Sequence, residues 1–437
     1  MLIKKANPWY VCFMLSALYL VANIDRFIIN LMVEPMKRDF QISDTQVSLL
    51  IGITFSLFYV LCGLPIARLA DRANRRNILT IGVGAWSLMT AMGGIAQNYW
   101  HMFISRMGVG VGEATLAPCA HSILADTLPP EKLGRGFGIY SLGAVLGGAM
   151  AYAVGGQLLG WAEGAFPNGI DIPLIGNIFS WQLVFILVGL PGILLAALFF
   201  FTVPEPIRSH GGDQEQMSFK EVLSFMNLHR RVYLSIYGGI AAIQIAVGGL
   251  TAWLPALFER RFDLGPAESA GYLVVGIVAP GFAAALLAGW LGDRWLQKGL
   301  TDSHIRICTI GTLIAIIPFG MAALLPTPVF LVAGISVGIL FAFMQAVLTP
   351  TALQLVSPAR MRSFAASLVM VATILVGAGT GPTIVALITD FGFGDENMLH
   401  YSIAIVVSIG TAISFVCFAL GRKAYGEMVV ATRNASE

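Results

Sequence analysis

Between Leu183 and Val203 the chain reads LVFILVGLPGILLAALFFFTV, without a single charged residue. A helix of about 20 apolar residues is what a hydrocarbon core of about 30 Å demands, so this run narrows the fold at once. It is not alone. Apolar runs split by polar residues or by Pro and Gly are centred near residues 21, 57, 87, 113, 147, 191, 245, 280, 315, 340, 375 and 410, which predicts twelve spans. The pair near 315 and 340 is separated chiefly by Pro326 and Pro328. A membrane β-barrel would instead show segments of about ten residues alternating in polarity. The expected fold is all-α and integral to a membrane.

Composition agrees. Only 11% of the residues are charged and 57% are hydrophobic, against roughly 25% charged in soluble chains. A mean hydropathy of +0.79 is too high to hide in one soluble core. The net charge of +2 leaves no basic face for nucleic acid. Cys12, Cys62, Cys119, Cys308 and Cys417 are isolated and odd in number, which suits neither a disulfide framework nor a metal site. Lys4 and Lys5 precede the first run as in a secretory leader. That run, however, offers no small-residue cleavage site before Asp25 and Arg26 and stays apolar to Met32, so a first span is expected instead.

The one long polar interruption begins at Pro204. It divides the chain into a six-span bundle at 1–203, a linker at 204–230 and a second six-span bundle at 231–437. Within the linker, SFKEVLSFM (Ser218 to Met226) has the apolar spacing of a helix lying along a membrane surface. Twenty Lys and Arg fall on the side of the two termini, whereas the opposite side collects four, Lys37, Arg38, Arg260 and Arg261. By the positive-inside rule both termini are cytoplasmic, with a bacterial inner membrane as the expected location. The halves also repeat. ARLADRANRR (Ala67 to Arg76) follows the second span and GWLGDRWLQK (Gly289 to Lys298) the eighth, so Asp71-Arg72 recurs as Asp293-Arg294 after 222 residues. PEKLGRGF (Pro130 to Phe137) before the fifth span is echoed by PARMRSF (Pro358 to Phe364) before the eleventh. Duplicated six-span halves are the pattern of a pseudo-symmetric transporter.

These motifs resemble the major facilitator superfamily, whose signature between the second and third helices is G-x-x-x-D-R/K-x-G-R/K-R/K. Asp71, Arg72, Arg75 and Arg76 match it, while Ala67 and Asn74 replace its glycines. GAGTGP (Gly377 to Pro382) is similar to the family's Gly-Pro motif, but the fifth span carries GGAMAYAVGG (Gly147 to Gly156) without proline, unlike the drug antiporters. A closer likeness is to the spinster branch of lysolipid and sphingolipid transporters. It rests on Asn23-Ile24-Asp25-Arg26, the Asp71 to Arg76 turn, RMGVGVGEA (Arg106 to Ala114), Pro118, Ala125-Asp126, Trp181 and the exit Pro204-Glu205-Pro206. Almost all of this lies in the first 206 residues. The resemblance implies the twelve-helix MFS fold, transport by alternating access, and first and fourth helices lying together along a central cavity.

Four ionisable residues interrupt the apolar spans of the first half: Asp25 and Arg26 in the first, Arg106 and Glu113 in the fourth. Each costs on the order of 2.5–3.5 kcal/mol near the bilayer centre, which is why such residues face one another or a cavity and mark function. Arg106 and Glu113 share a helix face at levels roughly 10 Å apart, so their close partners come from another helix. Asp25 and Arg26 diverge by about 100°, so at most one points straight at the fourth span. Carboxyl groups are the members of this quartet that can exchange a proton near neutral pH once buried. Glu113 and Asp25 are therefore the expected proton-coupling residues, and Arg26 and Arg106 the expected anchors of an anionic substrate. With both carboxylates ionised the quartet is neutral; protonating Glu113 releases one arginine. This serves symport if proton and substrate bind together, and antiport if substrate displaces the proton.

The second half offers only polar groups such as Gln244 and Gln345, with Phe341, Phe343 and Met344 nearby. One charged wall and one apolar wall suit an amphiphile, and Gln244, Gln345, Phe341 and Met344 join the expected substrate set. A proton-coupled carrier of small organic anions, or a non-transporting receptor on the same scaffold, uses the same arginines. Asp71 and Asp293 are expected to accept hydrogen bonds from the open N-termini of the eleventh and fifth helices, near Ser363 and Gly136. With Arg72, Arg75, Arg76, Asp126, Arg135, Arg294 and Arg362 they form the expected cytoplasmic gate. No nucleophile, metal cluster or nucleotide motif points to an enzyme. The expected energy source is a proton gradient, with no cofactor. The expected partners are substrate, protons and membrane lipids, and the expected state is a monomer.

Overall fold

A computed structural model describes residues 7–173, 176–208 and 217–434. Ten of its helices are long and apolar enough to cross a membrane: α1 (Pro8–Phe40), α2 (Asp44–Arg72), α5 (Glu131–Ala165), α6 (Ser180–Thr202), α7 (Arg230–Phe262), α8 (Pro266–Gln297), α9 (Ser303–Leu324), α10 (Pro328–Val356), α11 (Phe364–Phe393) and α12 (Glu396–Thr432). Two more helices stand between α2 and α5 and complete the expected twelve. They are α3 (Arg75–Gly93) and α4, which runs Tyr99–Glu113 and resumes at Leu116–Thr127. The protein is an integral membrane protein with an all-α fold, relieved by a short antiparallel pair, β1 (Ile170–Ile172) and β2 (Gly176–Ile178).

Local sequence explains where the helices start and bend. Asn7 caps α1, its side chain accepting from the Trp9 N–H at 3.0 Å with Pro8 in the first turn. Ser43 and Gln46 form a reciprocal capping box at the start of α2. Asn74 and Asn98 cap α3 and α4 by accepting from the Asn77 and His101 N–H groups. α1 tightens to a 3₁₀ turn at Ile28–Met32, directly after Asp25 and Arg26. The break in α4 falls immediately after Glu113, where Thr115 turns its hydroxyl back to the Gly112 carbonyl at 2.8 Å. Both irregularities border the four interior charges, where backbone departures concentrate in membrane helices that line sites.

Contacts divide the chain into two units, Met1–Gly211 with Leu254–Val274, and Gly212–Trp253 with Val275–Glu437. In the first unit α1 packs on α5, α3 on both α4 and α6, and α2 on α4. In the second, α9 packs on both α10 and α12, and α7 meets α11 where Gly248 approaches Ala378 and Gly381 approaches Gly249. The pairings of α3 with α4 and α6 recur as those of α9 with α10 and α12, the structural counterpart of the repeated Asp-Arg motif. Glycine sets the closest approaches. A Cβ at Gly147 would stand 2.4 Å from the Leu20 carbonyl oxygen, and one at Gly112 would stand 2.8 Å from the backbone nitrogen of Trp86. The first fixes α1 against α5 and the second fixes α4 against α3, as expected for small residues in membrane helix packing.

The last third of α7 associates with the first unit for an electrostatic reason. Arg260 binds Asp44 through both terminal nitrogens at 2.8 Å and Glu34 through Nε at 2.7 Å, while Lys37 reaches Asp44 at 2.5 Å. Asp44 is fully buried by this cluster, and sequence patterning gave no sign of it. The linker stretch forms the helix Phe219–Leu228, capped by a Ser218–Glu221 box. Val222 is buried in the core of the second unit, and Leu223 and Leu228 are exposed.

Candidate functional site

The four mid-span charges of the first unit come together, and they do so unequally. Arg26 donates from Nη2 to the Glu113 carboxylate at 2.5 Å. Its guanidinium lies 4.8 Å from the Phe55 ring centroid and 5.5 Å from that of Tyr59. Phe55 and Tyr59 are four residues apart on α2 and present one aromatic face to the arginine. Arg106 stands 5.7 Å from the same Phe55 ring and donates to the backbone carbonyl of Asp25 at 3.4 Å. Tyr19, stacked on Tyr140 at 4.6 Å, completes the wall near Arg26. The two arginines are thus held over aromatic faces, and one is bound to a carboxylate.

The expected divergence of Asp25 and Arg26 is what separates their roles. Arg26 points to α4 and keeps a quarter of its side-chain surface exposed, whereas Glu113 beneath it is 1% exposed. Asp25 turns the other way and is completely buried. Its carboxylate faces the Trp86 indole and the Thr90 hydroxyl of α3. Neither Asp25 oxygen, nor Trp86 Nε1, nor Thr90 Oγ1, closes a well-aligned hydrogen bond among the described residues. Nε and Nη2 of Arg106 and Oε1 of Glu113 are likewise unpartnered among them. Buried polar groups are normally satisfied, so this concentration of unsatisfied atoms makes the cluster the candidate site.

Sequence reasoning named the charges and missed their surroundings: Tyr19, Phe55, Tyr59, Trp86 and Thr90. Their signal was helical spacing on the neighbouring spans, with Phe55/Tyr59 and Trp86/Thr90 each at four-residue intervals. The second unit holds the remaining members of the expected substrate set. Gln345 is buried and accepts from the Ser414 hydroxyl at 3.4 Å. Gln244 is half-buried, its Cβ against Gly377. Met344 lies inside the apolar core, and the Phe341 ring covers Gly311, so both are occupied in helix packing.

The residues expected at a gate divide as well. Arg75 is almost wholly buried and bonds Asp126, the Ser122 hydroxyl at 2.7 Å, Glu205 at 2.7 Å and the Pro206 carbonyl at 2.9 Å. Glu205 also accepts from the Arg76 N–H at 2.8 Å, and Arg208 reaches the carbonyls of Ala70 and Ala73 at 2.7 and 2.6 Å. Arg75 therefore ties α3 to α4 and to the chain leaving α6, inside one unit, with Glu205 as the partner that sequence patterning did not supply. Asp71 and Asp293, expected at buried helix edges, are exposed, as are Arg72, Arg135, Arg294 and Arg362. Arg294 stacks over Trp290 at 5.2 Å and Arg362 donates to the Ser357 carbonyl at 3.2 Å. The side chain of Ser363 lies outside the described residues. No cluster of potential metal ligands occurs among the described residues.

A duplicated helical membrane scaffold whose mid-span charges, among the described residues, lie in one half is the architecture expected of a transporter, and sequence comparison agrees. The profile of the Major Facilitator Superfamily matches residues 15–382, and the chain belongs to that family. That family is one of transporters. Within the family it is spinster-like. It is 25% identical to protein spinster of Drosophila melanogaster over 71% of this chain and 49% of that one. The solved structure of a bacterial homologue of the human lysosomal transporter Spinster, in an inward-facing, unoccupied conformation, superposes with a TM-score of 0.78 at 25% identity, covering 98% of both chains. The chain is also 26% identical to an MFS-type efflux pump of Mycolicibacterium smegmatis over 67% of its length, and 25% identical to a probable L-galactonate transporter of Escherichia coli over 63%. It spans 64% and 59% of those two relatives' own lengths.

Proposed function

We propose that the protein is a proton-coupled secondary active transporter, working by alternating access, that moves an amphiphilic anion such as a lysophospholipid or sphingolipid. The observation that carries this reading is the Arg26–Glu113 pair, in which a partly exposed arginine is held by a buried carboxylate at 2.5 Å. An arginine fork can bind one carboxylate or phosphate well at a time. While Glu113 is ionised it occupies Arg26. When Glu113 takes a proton, Arg26 is left in an apolar setting without a counter-charge, and an anionic headgroup replaces the lost partner. Proton and substrate are coupled because they compete for one guanidinium. The aromatic faces of Phe55, Tyr59 and Tyr19 hold that guanidinium in place during the exchange and suit the apolar part of an amphiphile.

The proton gradient supplies the energy, and the chain uses no cofactor. Basic residues concentrated on the side of the termini support an inner-membrane orientation with both termini cytoplasmic. In proteoliposomes, Glu113→Gln should abolish pH-gradient-driven uptake, a loss of at least tenfold, while lysophospholipid binding stays measurable. Unchanged pH dependence would remove the proton role.

The Escherichia coli relative favours a second reading, a carrier of small sugar acids using the same arginines. Competition by galactonate against a lysophospholipid separates the two, since a headgroup-and-tail site is inhibited by lysolipid at far lower concentration than by the sugar acid.

A further inference from the structure

Asp25 is completely buried and makes no part of the Arg26–Glu113 exchange. What it faces is α3. Trp86 and Thr90, four residues apart, occupy one stripe of that helix, and both are buried to within 1% of complete exclusion from solvent. Ser87 beside them is equally buried, its Oγ unpartnered among the described residues. Three polar side chains pointing into an apolar bundle are a poor choice for packing alone. The polar atoms of Trp86 and Thr90 face one carboxyl group, that of Asp25, while Ser87 Oγ lies against Gly192 of α6.

We infer that α3, through Trp86 and Thr90, positions Asp25 and sets the balance between its protonated and ionised forms, so that both are working residues of the proton-coupled cycle. The two differ in what they can offer. An indole N–H only donates, whereas a threonine hydroxyl donates and accepts. The ionised carboxylate accepts from both. The protonated acid needs an acceptor for its own O–H, and the arginines, being donors only, cannot supply one. Thr90 can. Trp86 thus favours the ionised form alone, while Thr90 serves both forms and gives the proton a defined position.

Other groups around Asp25 fit this division. The charged groups facing it are Arg106 and Glu113, both on α4. Arg26 on its own helix is turned to Glu113. α5 meets α1 with Gly143 and Gly147, and its Tyr140 stacks on Tyr19 while its Tyr152 hydroxyl accepts from Asn30 at 3.2 Å. α6 brings Gly192 against Ser87 and Val21. Tyr59 of α2 belongs to Arg26, and His121 in the second segment of α4 sits edge-on to Phe137 and Tyr140. Trp86 itself is held by the close approach of Gly112.

The inference rests on the proton-coupled reading, and its test is separable from it. In the full-length protein in nanodiscs, the infrared carboxyl band that disappears in Asp25→Asn is titrated against pH. Trp86→Phe should move its midpoint upward by about one to two pH units, the loss of one hydrogen bond to a charged group. Thr90→Val removes support from both forms, so its midpoint should move less, while its protonated band shifts in frequency; Thr90→Ser should restore both. Thermal unfolding confirms that each variant is folded, and if Trp86→Phe is not, the Thr90→Val and Thr90→Ser pair decides alone. Folded variants that titrate as the wild type overturn the inference. If the band moves as expected but proteoliposome transport is indifferent to pH, the coupling reading falls and the positioning of Asp25 stands. If transport follows pH and the band does not move, the reverse holds.

Discussion

The two units repeat one set of helix pairings and fill them differently. In the first, α3 packs on α4 and α6 around Asp25, Arg26, Arg106 and Glu113, whose partners come from α1, α2, α3 and α4. In the second, α9 packs on α10 and α12 around a core of Ile236, Ile305, Met344, Leu348 and Phe418. Several of its buried hydroxyls close on their own helix, Thr309 on the Ile305 carbonyl at 2.7 Å and Thr312 on the Cys308 carbonyl at 2.8 Å. A hydroxyl bonded to the preceding turn needs nothing from its neighbours. A charge in the same environment does, and it finds satisfaction only in a particular arrangement of several helices. The duplicated scaffold supplies the framework in both halves; four mid-span charges make the first the candidate site.

The comparison can be broken at its strongest point first. Arg26→Ala leaves Glu113 buried without its ion pair, a change that costs about 3–5 kcal/mol when one partner of a buried pair is removed. The expected result is a large fall in the thermal unfolding midpoint near neutral pH, partly recovered at acidic pH where Glu113 is neutral, together with loss of lysophospholipid binding. An unfolding midpoint that ignores pH would mean that Glu113 finds another counter-charge.

Arg75→Ala probes the first unit away from its charged centre. It takes the guanidinium from Asp126 and Glu205, which are partly exposed and keep other contacts, so the loss should be smaller, about 2–3 kcal/mol. It should be read as a lower unfolding midpoint, with the pH dependence of transport retained. A variant that unfolds normally yet transports without regard to pH would join Arg75 to the coupling site. The smallest effect belongs to the second unit. Thr312→Val removes a hydroxyl whose only described partners are carbonyls of its own helix, so stability should change by less than about 1 kcal/mol and transport should be unaltered. A large loss of transport there would put a functional site in the half whose described spans carry no mid-span charge.

Much of this was legible in the sequence because it is written in one dimension. The length of LVFILVGLPGILLAALFFFTV, the bias of Lys and Arg to one side, the recurrence of Asp71-Arg72 as Asp293-Arg294 and the rarity of charge inside the spans all follow from local transfer free energies. They settled the fold class and singled out the four mid-span charges of the candidate site. Met344 and Phe341 show where that reasoning stopped: composition cannot tell an apolar side chain that lines a site from one that fills a core, and both turned out to pack. Glu205 shows the converse, a residue of the exit Pro204-Glu205-Pro206 to which the sequence assigned no partner and which binds a buried arginine.

What only tertiary structure decided is which charge meets which. Neighbours in sequence, Asp25 and Arg26 leave α1 about 100° apart, and the helices that stand in those two directions depend on rotation and register. Gly147 and Gly112 fix these by letting α1 close on α5 and α4 close on α3. Arg26 is thereby delivered to Glu113 and Asp25 to Trp86 and Thr90. Sequence determined that four charges would be buried in the first half, because each is costly wherever it sits in a span. The partition into an exchangeable ion pair and an enclosed acid arose only when the helices packed, because partner choice depends on distance and direction, which no single span contains.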